Sequence, residues 1–231
     1  MKLLALDTSS VACSVALQVG DDVVERHEEQ PREHTRLLMP MIESLLADAG
    51  ASLPDLDAIV LGNGPGSFIG MRIAASVAQG LAFGASLQIV PISSMAAVAS
   101  RVIAEHDADE VVVAQDAHMQ EVYLGIYRRD EGDLPVPSIP ERLHGLAAIA
   151  ELESSPNPSR FGAGFGWQRY PELLVANRDR VTNIVDVLHP HASDLLGLAT
   201  IPLQKGGAID AQNISPAYLR HKVAEKPGPG P

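Results

Sequence analysis

Two aspartates stand where this chain could hold a cation or cap a turn. Asp7 ends the apolar run Lys2–Leu6 and is followed by Thr8-Ser9-Ser10; Asp116 ends Val111–Gln115 and is followed by Ala117-His118-Met119. A carboxylate at the end of a buried strand is either a Mg²⁺ ligand of an ATP site or the cap of a tight turn. Both readings stand, although no glycine follows either residue to admit a phosphate. Gly62-Asn63-Gly64-Pro65-Gly66-Ser67 lies between an apolar tetrad and a helix-forming stretch. There, free backbone N–H groups and a helix dipole can hold an anion. Gly64, Gly66 and Ser67, with Arg72 one turn further on, are the candidate anion contacts. No lysine follows the last glycine, and the dinucleotide fingerprint with its acidic partner is missing. The alternative is a tight turn whose glycines need positive φ.

Other reactive residue types do not combine. Ser9, Ser67 and His34 could be arranged as nucleophiles and a base, but there is no Gly-x-Ser-x-Gly elbow. His34 is followed at i+4 by Leu38, His189-Pro190-His191 reads as a loop, and no His-Glu-x-x-His occurs. The residues alone therefore predict no catalytic set, no metal site and no cofactor for the isolated chain.

The elements that must position these residues occur twice. An apolar strand, an aspartate, a polar turn and a returning strand run over 2–19 and again over 110–127. Such an internal repeat predicts two similar lobes with a cleft between them. In the first half, strands at 2–7, 11–18, 23–29, 58–61 and 87–90 alternate, after the third, with helices at 35–49, 70–83 and 93–105, the last capped by Ser93. The second half predicts two strands, a Gly- and Pro-rich loop over 130–140, a helix over 143–152, a loop over 154–159, a strand running into the glycine turn at 161–167, and a last helix over 193–203. This order predicts an α/β fold of two ribonuclease-H-like lobes, of the actin/Hsp70/sugar-kinase class. The expected units are 1–107, 108–225 and a disordered tail at 226–231, which ends Pro-Gly-Pro-Gly-Pro.

Bulk properties narrow the partners. Of 231 residues, 46% are hydrophobic and only 4% aromatic, which predicts an aliphatic core. The single cysteine, Cys13, rules out an internal disulfide and fits a reducing cytoplasm. No run is expected to cross a bilayer, and no signal peptide is read at the N-terminus. A net charge of -12 makes the chain alone a poor RNA binder, because such affinity comes from Lys and Arg on phosphates.

Two helices carry more apolar residues than one sheet needs. Leu38, Met41, Ile42 and Leu45 belong to the first; Ile73, Val77 and Leu81 form one stripe of the second, beside a small-residue stripe that includes Ala74 and Ala78. Either these helices are sandwiched inside a thick domain, or one face packs on the sheet and the other binds a partner. These nine residues are the pool for that partner face, with Ala78→Arg as the change expected to block docking while sparing the fold.

Six motifs taken together resemble the bacterial TsaB family, formerly YeaZ. They are Leu4–Ser10, Ala12–Leu17, Pro31–Thr35, Gly64–Phe68 with Gly70–Ile73, Asp116-Ala117 with Glu121–Tyr123, and Pro216–Arg220. The resemblance implies an actin-like fold and a non-catalytic scaffold role in making N6-threonylcarbamoyladenosine (t6A) in tRNA. It implies TsaD as the transferase partner, TsaE as an ATPase partner, a homodimer when TsaD is absent, and ATP or ADP only at the assembled complex. The catalytic relative uses two histidines of its first helix as metal ligands; here only His34 stands near that place. Ile69 replaces the family's usual Thr and His118 its frequent Arg, both losses of polar contacts near the cleft. The rival readings are an autonomous ATPase or kinase, and a peptidase acting on TsaD.

Overall fold

In the computed structural model residues 1–153 and 158–220 are described. The expected tail at 226–231 and most of the 154–159 loop lie outside them. The first sheet takes β1 (Lys2–Asp7), β2 (Cys13–Val19), β3 (Asp22–Glu28), β4 (Ala58–Gly62) and β5 (Gln88–Ile92). Its helices are α1 (His34–Asp48), α2 (Phe68–Ala85) and α3 (Ser94–His106). The second half gives β6 (Glu110–Asp116), β7 (Val122–Arg129), β8 (Pro135–His144), β9 (Arg160–Ala163), α4 (Phe165–Arg169), α5 (Pro171–Asn177), β10 (Asn183–Ile184), α6 (Ala192–Gln204) and β11 (Ile209–Asp210).

The repeat is visible in the strand order. The first sheet runs β11-β5-β4-β1-β2-β3 and the second β10-β9-β6-β7-β8. With β11 set aside, the two orders are the same. β1 is antiparallel to β2 and parallel to β4, as β6 is to β7 and β9. Asp7 and Asp116 occupy the same place, the last pair of each leading hairpin, opposite Ser14 and Val122. This is the two-lobed α/β fold.

Leu3–Leu6 and Val111–Ala114 of the leading strands are apolar without alternation because both faces are covered. Leu4, Leu6, Val15, Ile59 and Leu61 point to α1 and α2; Leu3, Ala5, Ala16 and Val60 point to α6 and to Ala97 of α3. Val111 and Val113 meet the other side of α3, while Val112 and Ala114 meet α4 and α5. The layers are therefore α1/α2, first sheet, α3/α6, second sheet, α4/α5. Cys13 lies in the first core, where burial, with Asp7 and Glu28 nearby, pushes its thiol up to about 12.

Several expectations need correction. The second unit, 108–225, does not keep its own last elements. α6 buries Ala192, Leu195, Leu196 and Ala199 on the first sheet, and β11 pairs with β5 through Ile209 and Ile89. The far face of that sheet is too wide for α3 alone, and α6 closes it. The loop at 130–140 is largely β8; its prolines are tolerated because it is an edge strand with register shifts. The helix at 143–152 is absent: the chain finishes β8 and then turns, with Ile149 fixed by its N–H donating to Asn177 Oδ1 at 2.7 Å. The short helices α4 and α5 were not expected.

By length and composition, α2 reaches bilayer size, with 18 residues at mean hydropathy 1.3, against the expectation that no run would. In the fold it lies on the first sheet through Met71, Ala74, Ala78 and Ala82.

Candidate functional site

A cleft of about 610 Å³ opens between the lobes, lined among others by Ser9, His34, Gly66, Ser67, Asp116 and His189. The folding of the two leading hairpins places Asp116 on its lining and buries Asp7 behind Ser9. Each caps its turn: Asp7 Oδ1 accepts the N–H of Ser9 at 2.7 Å, and Asp116 Oδ1 accepts the N–H of His118 at 2.8 Å. Asp7 also accepts the hydroxyls of Ser9 and of Ser94, at the start of α3. It is 1% exposed, and burial raises its carboxyl above the usual value despite these donors. Asp116 accepts the Tyr170 hydroxyl at 2.8 Å.

The glycine-rich loop is packed by its own chain. A Cβ on Gly62 would lie 1.9 Å from Asp7 Oδ2, and one on Gly66 2.2 Å from the Ser9 carbonyl oxygen. Gly64, at φ +83°, donates its N–H to Ser94 Oγ; Ser67 donates to the Ser9 carbonyl at 2.6 Å and caps α2 by accepting the Gly70 N–H. Gly66 and Ser67 thus hold the loop against the first hairpin turn, and Gly64 ties it to the start of α3. Arg72 does not join them as an anion contact. Its guanidinium lies 3.7 Å over the Phe68 ring, and its Nε donates to Tyr218 Oη at 2.9 Å. Stacked on Phe68 and hydrogen-bonded to Tyr218, it ties α2 to the chain around Tyr218 through a cation–π contact.

Tyr218 belongs to a strap, residues 214–220, that crosses from one lobe to the other. Ala217 N–H donates to the Asn63 carbonyl, and Arg220 reaches the second-lobe turn through the Ala117 carbonyl at 2.8 Å and Glu121 at 2.7 Å. Spacing alone gave no role to Tyr218 or Arg220, because their partners lie far away in sequence; the only signal was their place in the Pro216–Arg220 motif.

The nine residues pooled for a partner face divide. Leu38, Met41, Ile42, Leu45, Ala74 and Ala78 are buried in the first core; Ile73, Val77 and Leu81 stay half-exposed. Ala78 is 0% exposed, so the expectation that Ala78→Arg would spare the fold is wrong. The small-residue stripe faces inward because the sheet comes close: a Cβ on Gly70 would lie 1.9 Å from the Thr8 carbonyl oxygen.

What α2 turns outward is still apolar. Ile69, Arg72, Ile73, Ser76, Val77, Gly80, Phe83 and Gly84 fall within an arc of about 140° at 3.6 residues per turn. Ile69 is 70% exposed and Phe83 78%, and Arg72 is the only charged residue of the helix. Gly80 and Gly84 have nothing within 4 Å of a built Cβ. Glycine inside a helix costs about 1 kcal/mol against alanine, and here no intramolecular contact requires it.

The residues that could act as a serine–histidine pair are occupied separately. Ser9 Oγ donates to Asp7, Ser67 Oγ accepts from Gly70, and His34 Nε2 donates to the Ser10 carbonyl at 2.9 Å.

Comparison with known proteins agrees with this architecture. Residues 26–161 match the family model described as "TsaD: tRNA N6-adenosine threonylcarbamoyltransferase". The chain is 38% identical to the tRNA threonylcarbamoyladenosine biosynthesis protein TsaB of Haemophilus influenzae, covering 100% of this chain and 98% of that protein. Identity to the Escherichia coli protein of the same name is 37%, over 100% and 99%. A solved structure described as YeaZ from Pseudomonas aeruginosa superposes with a TM-score of 0.83 at 37% identity, over 94% of this chain and 99% of that one. Another, described as an uncharacterized protein with similarity to peptidase YEAZ from the same organism, gives a TM-score of 0.87 at 39% identity, over 95% and 99%. With full-length relatives at this identity and the same two-lobed fold, the chain belongs to the TsaB (YeaZ) family, within the wider group that the TsaD model describes.

Proposed function

We propose that this chain is a non-catalytic scaffold subunit in tRNA threonylcarbamoyladenosine formation. It docks the transferase TsaD through the outer face of α2 and the adjoining edge of α1, and pairs with a second copy of itself through that face when TsaD is absent. TsaE and a nucleotide, ATP or ADP, bind the assembled pair rather than this chain alone, which acts in the cytoplasm and leaves tRNA to its partner. The observation that carries the reading is the exposed Ile69 and Phe83, with half-exposed Ile73 and Val77, on a helix whose neighbouring glycines contact nothing in their own chain. Solvent does not favour such a face; a second helix lying close against it does.

The cleft residues support no rival. An autonomous ATPase or kinase would need Asp7 and Asp116 free for a cation; Asp7 is buried with Ser9 on Oδ1 and Ser94 on Oδ2, and Asp116 Oδ1 accepts from its own turn and from Tyr170. A peptidase would need one of the serines beside His34, whose Nε2 is taken by Ser10. At i+4, where the catalytic relative's second histidine is expected, Leu38 is buried in the core.

The test compares two neighbours on α2. Val77→Asp, on the outer face, still melts cooperatively and abolishes co-purification with TsaD. Ala78→Arg, on the inner face, unfolds the chain. Undiminished co-purification of the well-folded Val77→Asp protein would overturn the placement of the face.

A further inference from the structure

On the opposite side of the first sheet from the docking face, a cluster of donors has no role in the reading above. Glu25 and His27 are two residues apart on β3, so both point to the same face, toward the start of α6. His191 stands there as the residue before that helix. One ligand atom from each of Glu25, His27 and His191 can be chosen so that all lie within 4.8 Å of one another, the only such group among the described residues. We propose that Glu25, His27 and His191 bind a divalent cation of the zinc class, tying the edge strand β3 to α6.

Three observations carry the assignment. First, the carboxylate is already oriented. Glu25 Oε1 accepts from Ser14 Oγ at 3.1 Å and from the N–H and hydroxyl of Ser193 at 2.9 and 3.0 Å, which leaves Oε2 directed at His191. Metal sites use such outer partners to fix a ligand's direction. Second, His27 is an orphan. Both its ring nitrogens are buried without a hydrogen-bond partner, and Glu29 Oε1 stands 3.6 Å from Nε2, outside hydrogen-bond range. A neutral imidazole carries one N–H, and leaving it dry costs about 1–3 kcal/mol. Coordination gives one nitrogen a partner and turns the ring so the other can reach one. Third, the geometry is close. Four ligands at about 2.0–2.1 Å from Zn²⁺ place neighbouring donor atoms about 3.3 Å apart. Glu25 Oε2 and His191 Nδ1 share a hydrogen bond at 3.0 Å, so a cation replacing that proton needs the pair to part by only a few tenths of an ångström.

His27 lies stacked on His191, with ring centres 3.8 Å apart and planes 5° from parallel. It completes the site by a ring rotation that no hydrogen bond resists. A donor set of two imidazoles and one carboxylate with no thiolate suits Zn²⁺, and Co²⁺ or Ni²⁺ as its laboratory substitutes. The fourth position falls to Glu29, which is mostly exposed and next to His27, or to water.

The experiment uses the full chain, stripped with a chelator. Zinc is titrated against a chromophoric chelator, and Co²⁺ is followed by its visible absorption. The wild-type chain takes up a single zinc ion, melts at a higher temperature with it, and gives the intense visible bands of a tetrahedral Co²⁺ site. His27→Phe keeps the ring stack but offers no lone pair, and Glu25→Gln keeps the hydrogen bonds to Ser193. Each weakens zinc binding by about 100-fold or more and removes the zinc-dependent shift in melting. Equal zinc affinity in wild type and His27→Phe, or a Co²⁺ spectrum indifferent to either change, would overturn the site. Loss of TsaD docking plays no part in the readout, so this result and that of the docking test are separable.

Discussion

Gly80 and Gly84 give the docking face a test in which stability and assembly move in opposite directions. Both lie on the exposed arc of α2, both have φ in the ordinary range, and a methyl on either meets nothing within 4 Å. In the lone chain, Gly80→Ala therefore gains the full helical preference of alanine, about 0.8–1.0 kcal/mol. Gly84 is in the last turn, where the gain is about half as large. The double change should stabilise the monomer by about 1.4 kcal/mol. Unfolding 231 residues releases about 0.5 kcal/mol/K of entropy, at ~2.1 cal/mol/K per residue. The expected rise in Tm is thus about 3 °C. If a partner helix lies close on this face, the same two methyls enter a filled contact. Overpacking of that kind costs about 1–3 kcal/mol, a weakening of about 5- to 150-fold in association. Thermal melting at low protein concentration reads the first effect; titration of TsaD, and sedimentation for self-association, reads the second. A higher Tm with undiminished association would show that the partner sits elsewhere, and an unchanged or lower Tm would refute the claim that these glycines serve nothing within their own chain.

Two further changes separate structural from chemical roles. Asp7→Asn keeps an acceptor for the Ser9 N–H and removes a buried charge. Because the folded carboxyl titrates above its ordinary 3.8, its contribution is full below that pH and is lost as pH rises through the raised value. The amide variant should match or exceed wild-type Tm near neutral pH, with assembly intact; loss of nucleotide binding or of function in a stable Asp7→Asn protein would restore the cation-ligand reading. Glu25 shows the opposite sign. Burial pushes it up, but the His191 and Ser193 hydrogen bonds and the His191 charge outweigh this and bring it from 4.5 to about 2. Its stabilisation is complete above pH 4.5 and disappears as pH falls toward 2. Glu25→Gln should flatten that part of the acid-unfolding curve; an unaltered curve would show that Glu25 gains nothing from its partners.

How far the sequence could be read depended on whether a feature was local. The leading hairpins were legible because their signal is contained within each apolar run and its aspartate, and the matching strand orders of the sheets follow from that repetition. The cap of α3 was legible for the same reason: Ser93 Oγ accepts the N–H groups of Met95 and Ala96, two and three residues on. α6 was legible as a helix but not as a cover for the first sheet, since that place depends on how much of a distant surface α3 leaves open. β8 was lost because three prolines outweigh strand propensity until it is known to be an edge.

The helix α2 shows a different limit. Periodicity separates an apolar face from a polar one, and this helix has no polar face to contrast. Side-chain size was the remaining cue, and it ran against the usual direction. The small residues Gly70, Ala74, Ala78 and Ala82 lie inward, because the backbone at Thr8 comes within contact of the helix, while bulky Ile69 and Phe83 lie outward. A close approach demands small residues whichever chain makes it, so a stripe of them marks proximity without naming the neighbour. Only the coordinates distinguish the two stripes of α2: a methyl on Gly70 would strike its own chain, and one on Gly80 would meet open space. Under the proposed docking, the apolar side chains of the outer arc supply the contact and the second stripe, which meets open space, lets a partner helix come close.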